Sequence, residues 1–278
     1  MRFQRVTSER ELLDGLSRSE TAIVCGGTDL LVKMRAGIVR PQMLLDVNHL
    51  DSMHGISLHD EVLDIGAATP EAEVLRSPMV AERAPLLTAA LRSLGSVQIR
   101  NRGSLGGNLV NASPAADTAV PLLLYNAAVQ VVGMDSEQWV PVEDFITGPG
   151  HTALPTGAFV RTIRLSLDTP PLRTYYHKVG RRNAMTIAIA SVGVLADVTD
   201  GRLTECRVAA GSVAPTPIRL RAVEDALRGA PLDPATLERA RELASGSVHP
   251  ISDVRAPADY RARVVGDLLA RGLGSFVS

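Results

Sequence analysis

Two glycine-rich stretches hold the residues of this sequence best suited to chemistry. One reads Cys25-Gly26-Gly27-Thr28-Asp29-Leu30-Leu31. The other reads Arg102-Gly103-Ser104-Leu105-Gly106-Gly107-Asn108 and continues to Ala112-Ser113-Pro114-Ala115-Ala116-Asp117. The second gathers a diglycine, two amides, two hydroxyls and one carboxylate into the sixteen residues 102–117. Glycines allow successive backbone N–H groups to face one way, and a helix start adds partial positive charge. Together they suit a phosphate or pyrophosphate. Taken alone, the first stretch reads equally as a Gly-Gly turn joining a strand to a helix. Neither G-x-G-x-x-G nor G-x-x-x-x-G-K-[ST] occurs in the chain. Rossmann-type dinucleotide binding and P-loop chemistry are therefore disfavoured.

The elements that must position these stretches follow from periodicity and punctuation. Ser8-Glu9-Arg10-Glu11 fits a capping box ahead of the apolar face Leu12, Leu13, Leu16. Residues 21–25 read as a short buried strand broken by Gly26-Gly27. Thr28 and Asp29 are candidate caps for a helix through Leu30, Leu31, Val32 and Met34, closed by Gly37, and a second strand spans 43–47. A strand is predicted at 62–67, with helices at 71–76 and 80–94 and a break at Ala84-Pro85. Leu86, Leu87, Ala90, Leu91 and Leu94 continue one helical stripe. Ser113 and Pro114 suit the cap and first position of a helix running to Asn126, which would place Asp117 one turn in. There Asp117 serves either the helix dipole or a ligand's hydroxyl or exocyclic amine.

Strands are predicted at 128–133, 139–142 and 158–167, with Trp139 read as packing and Glu143-Asp144-Phe145 as a short helix or turn. Pro170-Pro171 marks a domain boundary. Beyond it, strands at 173–179, 187–198 and 203–210, a hairpin turn at Thr199-Asp200-Gly201, and helices at 219–227, 234–245 and 259–273 make an α+β unit. Lys178-Val179-Gly180-Arg181-Arg182 reads as a basic turn.

Composition excludes several functions. With 278 residues, 45% apolar, the chain is long enough for two domains with real cores. A net charge of −1 without a basic block, and 3% aromatics, argue against nucleic acid as a partner. Two cysteines, Cys25 and Cys206, provide neither a metal-ligand spacing nor a disulfide framework. No apolar run is long enough for a membrane span, and residues 1–15 lack the apolar centre of a signal peptide, so a reducing cytoplasm is expected.

The paired stretches, with Tyr176-His177-Lys178-Val179-Gly180-Arg181-Arg182 and Asp259-Tyr260-Arg261-Ala262-Arg263, resemble the FAD-binding medium subunits of the molybdenum hydroxylases. That is the family of xanthine dehydrogenase and carbon monoxide dehydrogenase. The likeness spans almost the whole chain. It implies an α+β fold: a two-lobed FAD-binding domain of the vanillyl-alcohol-oxidase (PCMH) type, then an α+β C-terminal domain. The limits implied are 1–168, with lobes of about 1–52 and 53–168, and 172–278.

The resemblance further implies non-covalent FAD between the lobes. Val24, Cys25, Gly26, Gly27, Thr28, Asp29 and Leu30 would cradle its pyrophosphate from one side. Ser104, Gly106, Gly107 and Asn108 would do so from the other, with the Ser104 hydroxyl and Asn108 amide as direct partners. Asp117 matches an acidic residue near the adenosine end. Leu94 and Val160 match apolar contacts to the flavin. Lys178, or His177 in another alignment, matches a basic position near the isoalloxazine.

The implied work is electron relay. A molybdopterin large subunit oxidises the substrate, and a [2Fe–2S] small subunit passes electrons to the flavin here for delivery to NAD⁺ or another acceptor, in a dimer of heterotrimers. No catalytic acid, base or nucleophile and no metal ligand is assigned to this chain. Two cysteines cannot carry the inserted four-cysteine segment of the benzoyl-CoA-reductase branch. Cys25, where many relatives have alanine, reads as an inert buried thiol. The alternatives are a free-standing flavin oxidoreductase of the same fold superfamily, with Tyr176 or His177 as its acid or base, and a non-catalytic nucleotide-binding or assembly protein.

Overall fold

The computed structural model describes residues 1–168, 172–182 and 185–277. The proline pair read as a domain boundary, Pro170-Pro171, lies outside the described residues.

The first lobe has strands β1 (Arg2–Arg5), β2 (Thr21–Val24) and β3 (Met43–Asp46) with helices α1 (Glu9–Leu16) and α2 (Leu30–Arg35). Its sheet is parallel in the order β1-β3-β2. β3 is central and buried throughout, as a strand covered on both faces must be. Strand β1 was not foreseen: Arg2–Arg5 pairs at a sheet edge with little burial, so it has no apolar alternation to read. At α1, Ser8 Oγ accepts from Glu11 N, and Glu11 reaches back to Thr7 N, one residue before the cap.

The second lobe begins with the hairpin β4 (Ile56–His59) and β5 (Val62–Gly66), of which sequence reading found only β5. Helices α3 (Glu71–Arg76), α4 (Pro78–Arg83), α5 (Pro85–Ser93), α6 (Val97–Arg100), α7 (Leu105–Asn111) and α8 (Ala119–Leu124) follow. Pro78 and Pro85 open α4 and α5, where a missing N–H costs nothing. Strands β6 (Ala128–Val132) and β7 (Glu137–Pro141), helix α9 (Val142–Phe145), the small hairpin β8 (Ile146–Gly148) and β9 (His151–Thr152), and strand β10 (Phe159–Ser166) complete it. The antiparallel order β4-β5-β10-β6-β7 puts the last strand in the middle. Trp139 is partly exposed at the β7 edge, with the Arg164 guanidinium 4.0 Å above its ring.

In the C-terminal unit, β11 (Arg173–Val179), β12 (Ala190–Thr199), β13 (Arg202–Gly211) and β14 (Ile218–Arg219) form an antiparallel sheet. Asp200 and Gly201, both at positive φ, make the tight turn between β12 and β13. Helices α10 (Arg221–Leu227), α11 (Pro234–Gly246) and α12 (Ala258–Gly274) cover one face. β12 is buried on both sides. Ala190, Val192, Val194 and Ala196 face these helices, whereas Leu195 joins the core of the first 168 residues. Gly193 lies on that second face. A Cβ there would stand 2.9 Å from both Leu124 and Val120 of α8.

Candidate flavin site

The first glycine stretch forms the turn from β2 into α2. Gly27 has φ +72°, a conformation open to glycine. Gly26 answers a different need. A Cβ on it would stand 1.8 Å from the carbonyl oxygen of Arg102, so here the two distant stretches touch backbone to backbone. The N–H groups of Gly27, Thr28 and Asp29 reach no acceptor among the described residues. Asp29 sits at the cap position of α2 without a side-chain cap bond. Three neighbouring free donors fit the donor set that a pyrophosphate needs. Cys25 is half-buried: its Sγ lies 3.6 Å from both Asn48 Oδ1 and Ala68 O, and burial pushes its thiol pKa up. The thiol expected to be buried is half-exposed and lies on the cavity wall.

The second stretch differs from its reading as a loop. Residues 105–111 are helix α7, with Ser104 as its cap accepting from Gly107 N at 3.2 Å. Gly106 N donates to Ala67 O at 2.9 Å, and a Cβ on Gly106 would come 2.6 Å from Ala67. Asn108 Nδ2 donates to Glu71 Oε1, and its Oδ1 accepts from Thr118. The polar groups of this stretch thus build its own frame. Beside Ser104 and Asn108, it offers the site the bare backbone of Gly106 and Gly107.

Between the two stretches lies a cavity of about 530 Å³. Val24, Cys25, Gly26, Gly27, Thr28, Asp29 and Leu30 wall one side, and Ser104, Gly106, Gly107 and Asn108 the other, with Leu94 and Val160 as apolar wall. Sequence reasoning missed Glu71 and Lys33, which also line it. Lys33 Nζ donates to Asn111 Oδ1 at 2.6 Å. Glu71 is 2% exposed, and burial, with Asp29 and Asp117 nearby, pushes its pKa to about 8. An acidic residue at a helix start is ordinary, so nothing in the sequence marked it.

Asp117 and Lys178 stand apart from that cavity wall. Residues 113–118 are turns, and α8 starts only at Ala119, because Pro121 fits a helix's first turn and no later one. Asp117 therefore precedes the helix by two residues instead of lying one turn inside it. Its Oδ2 accepts from Lys178 Nζ, which also donates to Ser93 O, and Tyr176 Oη donates to Oδ1. The pair is buried, with side chains 5% and 8% exposed. Burial raises the Asp117 pKa against the pull of Lys178, and holds the Tyr176 phenol well above its usual range. The alternation of β11 turns the two basic candidates to opposite faces. Lys178 faces Asp117, while His177 points the other way and stacks on Tyr175.

With this geometry in hand, comparison with known proteins is specific. Residues 1–166 match the family model described as the FAD binding domain in molybdopterin dehydrogenase, and residues 174–276 the CO dehydrogenase flavoprotein C-terminal domain. The xanthine dehydrogenase FAD-binding subunit of Escherichia coli O157:H7 is 30% identical over 93% of this chain and 89% of its own. The glyceraldehyde dehydrogenase medium chain of Sulfolobus acidocaldarius is 30% identical over 95% and 93%. In the solved carbon monoxide dehydrogenase of Hydrogenophaga pseudoflava, a chain 28% identical superposes with a TM-score of 0.94, over 98% of this chain and 96% of that one. The glycine stretches, the cavity they enclose and the C-terminal sheet belong together: this chain is a member of the FAD-binding, medium-subunit family of the molybdenum hydroxylases.

Proposed function

We propose that this chain is the electron-relay subunit of its complex. It takes electrons from the [2Fe–2S] clusters of a small subunit and hands them to NAD⁺ or another acceptor, while a molybdopterin large subunit oxidises the organic substrate. When bound, FAD supplies the two-electron carrier. The protein's part is to hold it, exclude water and set its surroundings. The observation that carries this reading is the cavity between the two glycine stretches, with the free N–H groups of Gly27, Thr28 and Asp29 on its rim. We assign FAD there, held non-covalently, with its pyrophosphate on those donors and Leu94 and Val160 against its apolar part.

In the same reading, the domains are 1–168 (lobes about 1–52 and 53–168) and 172–278. The separate sheets of 2–46, 56–166 and 173–219 support that division. The complex is a dimer of heterotrimers in the cytoplasm. No helix among the described residues is long and apolar enough to cross a membrane.

The chain purified alone is expected to carry yellow FAD that passes a filter after denaturation. That flavin is expected to stay oxidised with organic substrates until reduced small and large subunits are added. Bleaching by a substrate without partners would make the chain a free-standing oxidoreductase. Gly107→Val is expected to lower FAD occupancy at least tenfold, because a Cβ at this position meets only Ser104 Oγ and the branches extend into the cavity. Full flavination of that variant places FAD elsewhere.

A further inference from the structure

Glu71 is used by nothing described so far, yet it is the most deeply buried ionisable group on the cavity wall. Its backbone ties it to the second glycine stretch, with Glu71 N donating to Gly103 O at 2.9 Å. Its Oε1 accepts from Asn108 Nδ2 at 3.3 Å. Its Oε2 is buried without any hydrogen-bond partner, packed toward Gly103, where a Cβ would meet it at 2.9 Å.

A carboxylate so placed would leave a charged oxygen buried and unpaired, which is costly. Its surroundings do not compensate. The charged groups around it are Asp29 ahead of α2, Asp117 ahead of α8, and Arg100 of α6. Asp29 carries the same charge as an ionised Glu71, as does Asp117, whose charge Lys178 balances. Arg100, the one cation among them, donates to Leu94 O at 2.6 Å. A dinucleotide in the cavity adds the negative charge of two phosphates to the same wall. The neutral acid removes each conflict, because a buried oxygen without charge needs no counterion.

We propose that Glu71 is a protonated wall of the FAD site: it keeps its proton while FAD is bound and can lose it, in alkaline solution, only once FAD has left. This rests on the assignment of the cavity to FAD made above. The balance is simple. In alkaline solution, the free protein with ionised Glu71 takes up one proton from water for each FAD it binds. Release returns that proton, and no bond to FAD is made or broken.

The sign follows from the direction of the shift. Glu71 is raised from 4.5 to about 8 in the free protein, so binding is unimpeded below pH 8 and weakens above it. One proton sets the limit at about tenfold in Kd per pH unit.

The test is equilibrium dialysis of FAD against the full chain from pH 6.5 to 9.0 at constant ionic strength, with bound flavin read by absorbance and fold by circular dichroism. The wild-type Kd is expected to be level to about pH 8 and then to rise. Glu71→Gln keeps the acceptor for Asn108 and carries a permanent donor, so its Kd is expected to stay level throughout. Without any variant, mixing the FAD-free chain with FAD in weak buffer at pH 8.5 is expected to consume most of one proton per FAD bound, and almost none at pH 7. A level wild-type Kd, a Glu71→Gln profile as steep as wild type, or no proton uptake at pH 8.5 each overturns the proposal. Gly107→Val separates the two readings. If it retains FAD as tightly as wild type, the cavity assignment itself fails; if it loses FAD while the wild-type Kd is level, Glu71 alone is misjudged.

Discussion

Lys178 and Asp117, expected near the isoalloxazine and at the adenosine end of FAD, neutralise one another in the structure, joined by Tyr176 and the Ser93 carbonyl. Removing one partner of such a buried pair strands the other's charge. Asp117→Ala is expected to destabilise the chain by about 3–5 kcal/mol, and a double change of Asp117 and Lys178 to apolar residues of similar volume by much less. Chemical denaturation of the single and double variants measures both. Equal losses would show that the pair is not what Asp117 contributes. That the pair exists was not legible in the sequence, because it joins a turn to a strand 61 residues away. The alternation of β11 puts Lys178 with Tyr176 and against His177, but the sequence left open which of the two faces Asp117 turns to.

At the scale of elements, sequence reading worked where local rules dominate. The Ser8 cap, the break at Ala84-Pro85, the β12–β13 turn and the three C-terminal helices all follow from side chain and neighbours. It failed where tertiary partners supply the bonds. β1 and β4 lie at sheet edges, and α7 is a helix containing two glycines, poor helix formers sustained here by the Ser104 cap and by donation to Ala67 O. Arg261 of α12 belongs to the same class. At 1% exposure, it donates to Ile189 O, Ser212 O and Asp253 Oδ1, fastening β12, the end of β13 and the segment before α12 at one point. Arg261 and Arg255 in turn hold the Asp253 carboxyl far below the usual carboxylate range. Arg261→Met retains much of the volume but orphans two carbonyls and takes one donor from Asp253, which keeps Arg255. The expected cost is about 3–5 kcal/mol. The expected signature is faster amide hydrogen exchange in residues 189–192 and 253–261, with β1 to β3 unchanged. Uniform acceleration across the chain would contradict this local role.

For the molecule as a whole, the C-terminal sheet is shared ground. One face of β12 belongs to its own helices, and the other closes the core of the FAD-binding part. Arg207 reinforces the join, gripping Asp168 with two hydrogen bonds of 2.7 and 3.0 Å and reaching Leu124 O. The two parts should therefore unfold as one. Gly193→Val would drive two methyl groups into Leu124 and Val120, costing about 1–3 kcal/mol by overpacking. In calorimetry, the variant is expected to split or broaden a transition that is single in the wild type. A single transition in the variant, at an unchanged midpoint, would mean the sheet is only loosely docked.

The backbone contact of Gly26 with Arg102 also bears on how the chain reaches its native state. The two stretches are far apart in sequence, and their junction draws one side from each lobe, so it is expected to close after the lobes have formed. Such a non-local contact is slow to form and contributes little until chain entropy has been lost. The cavity is then a late product of folding rather than a nucleus for it. FAD would find no site on the nascent first lobe, and its presence would slow unfolding while leaving the rate of folding almost untouched.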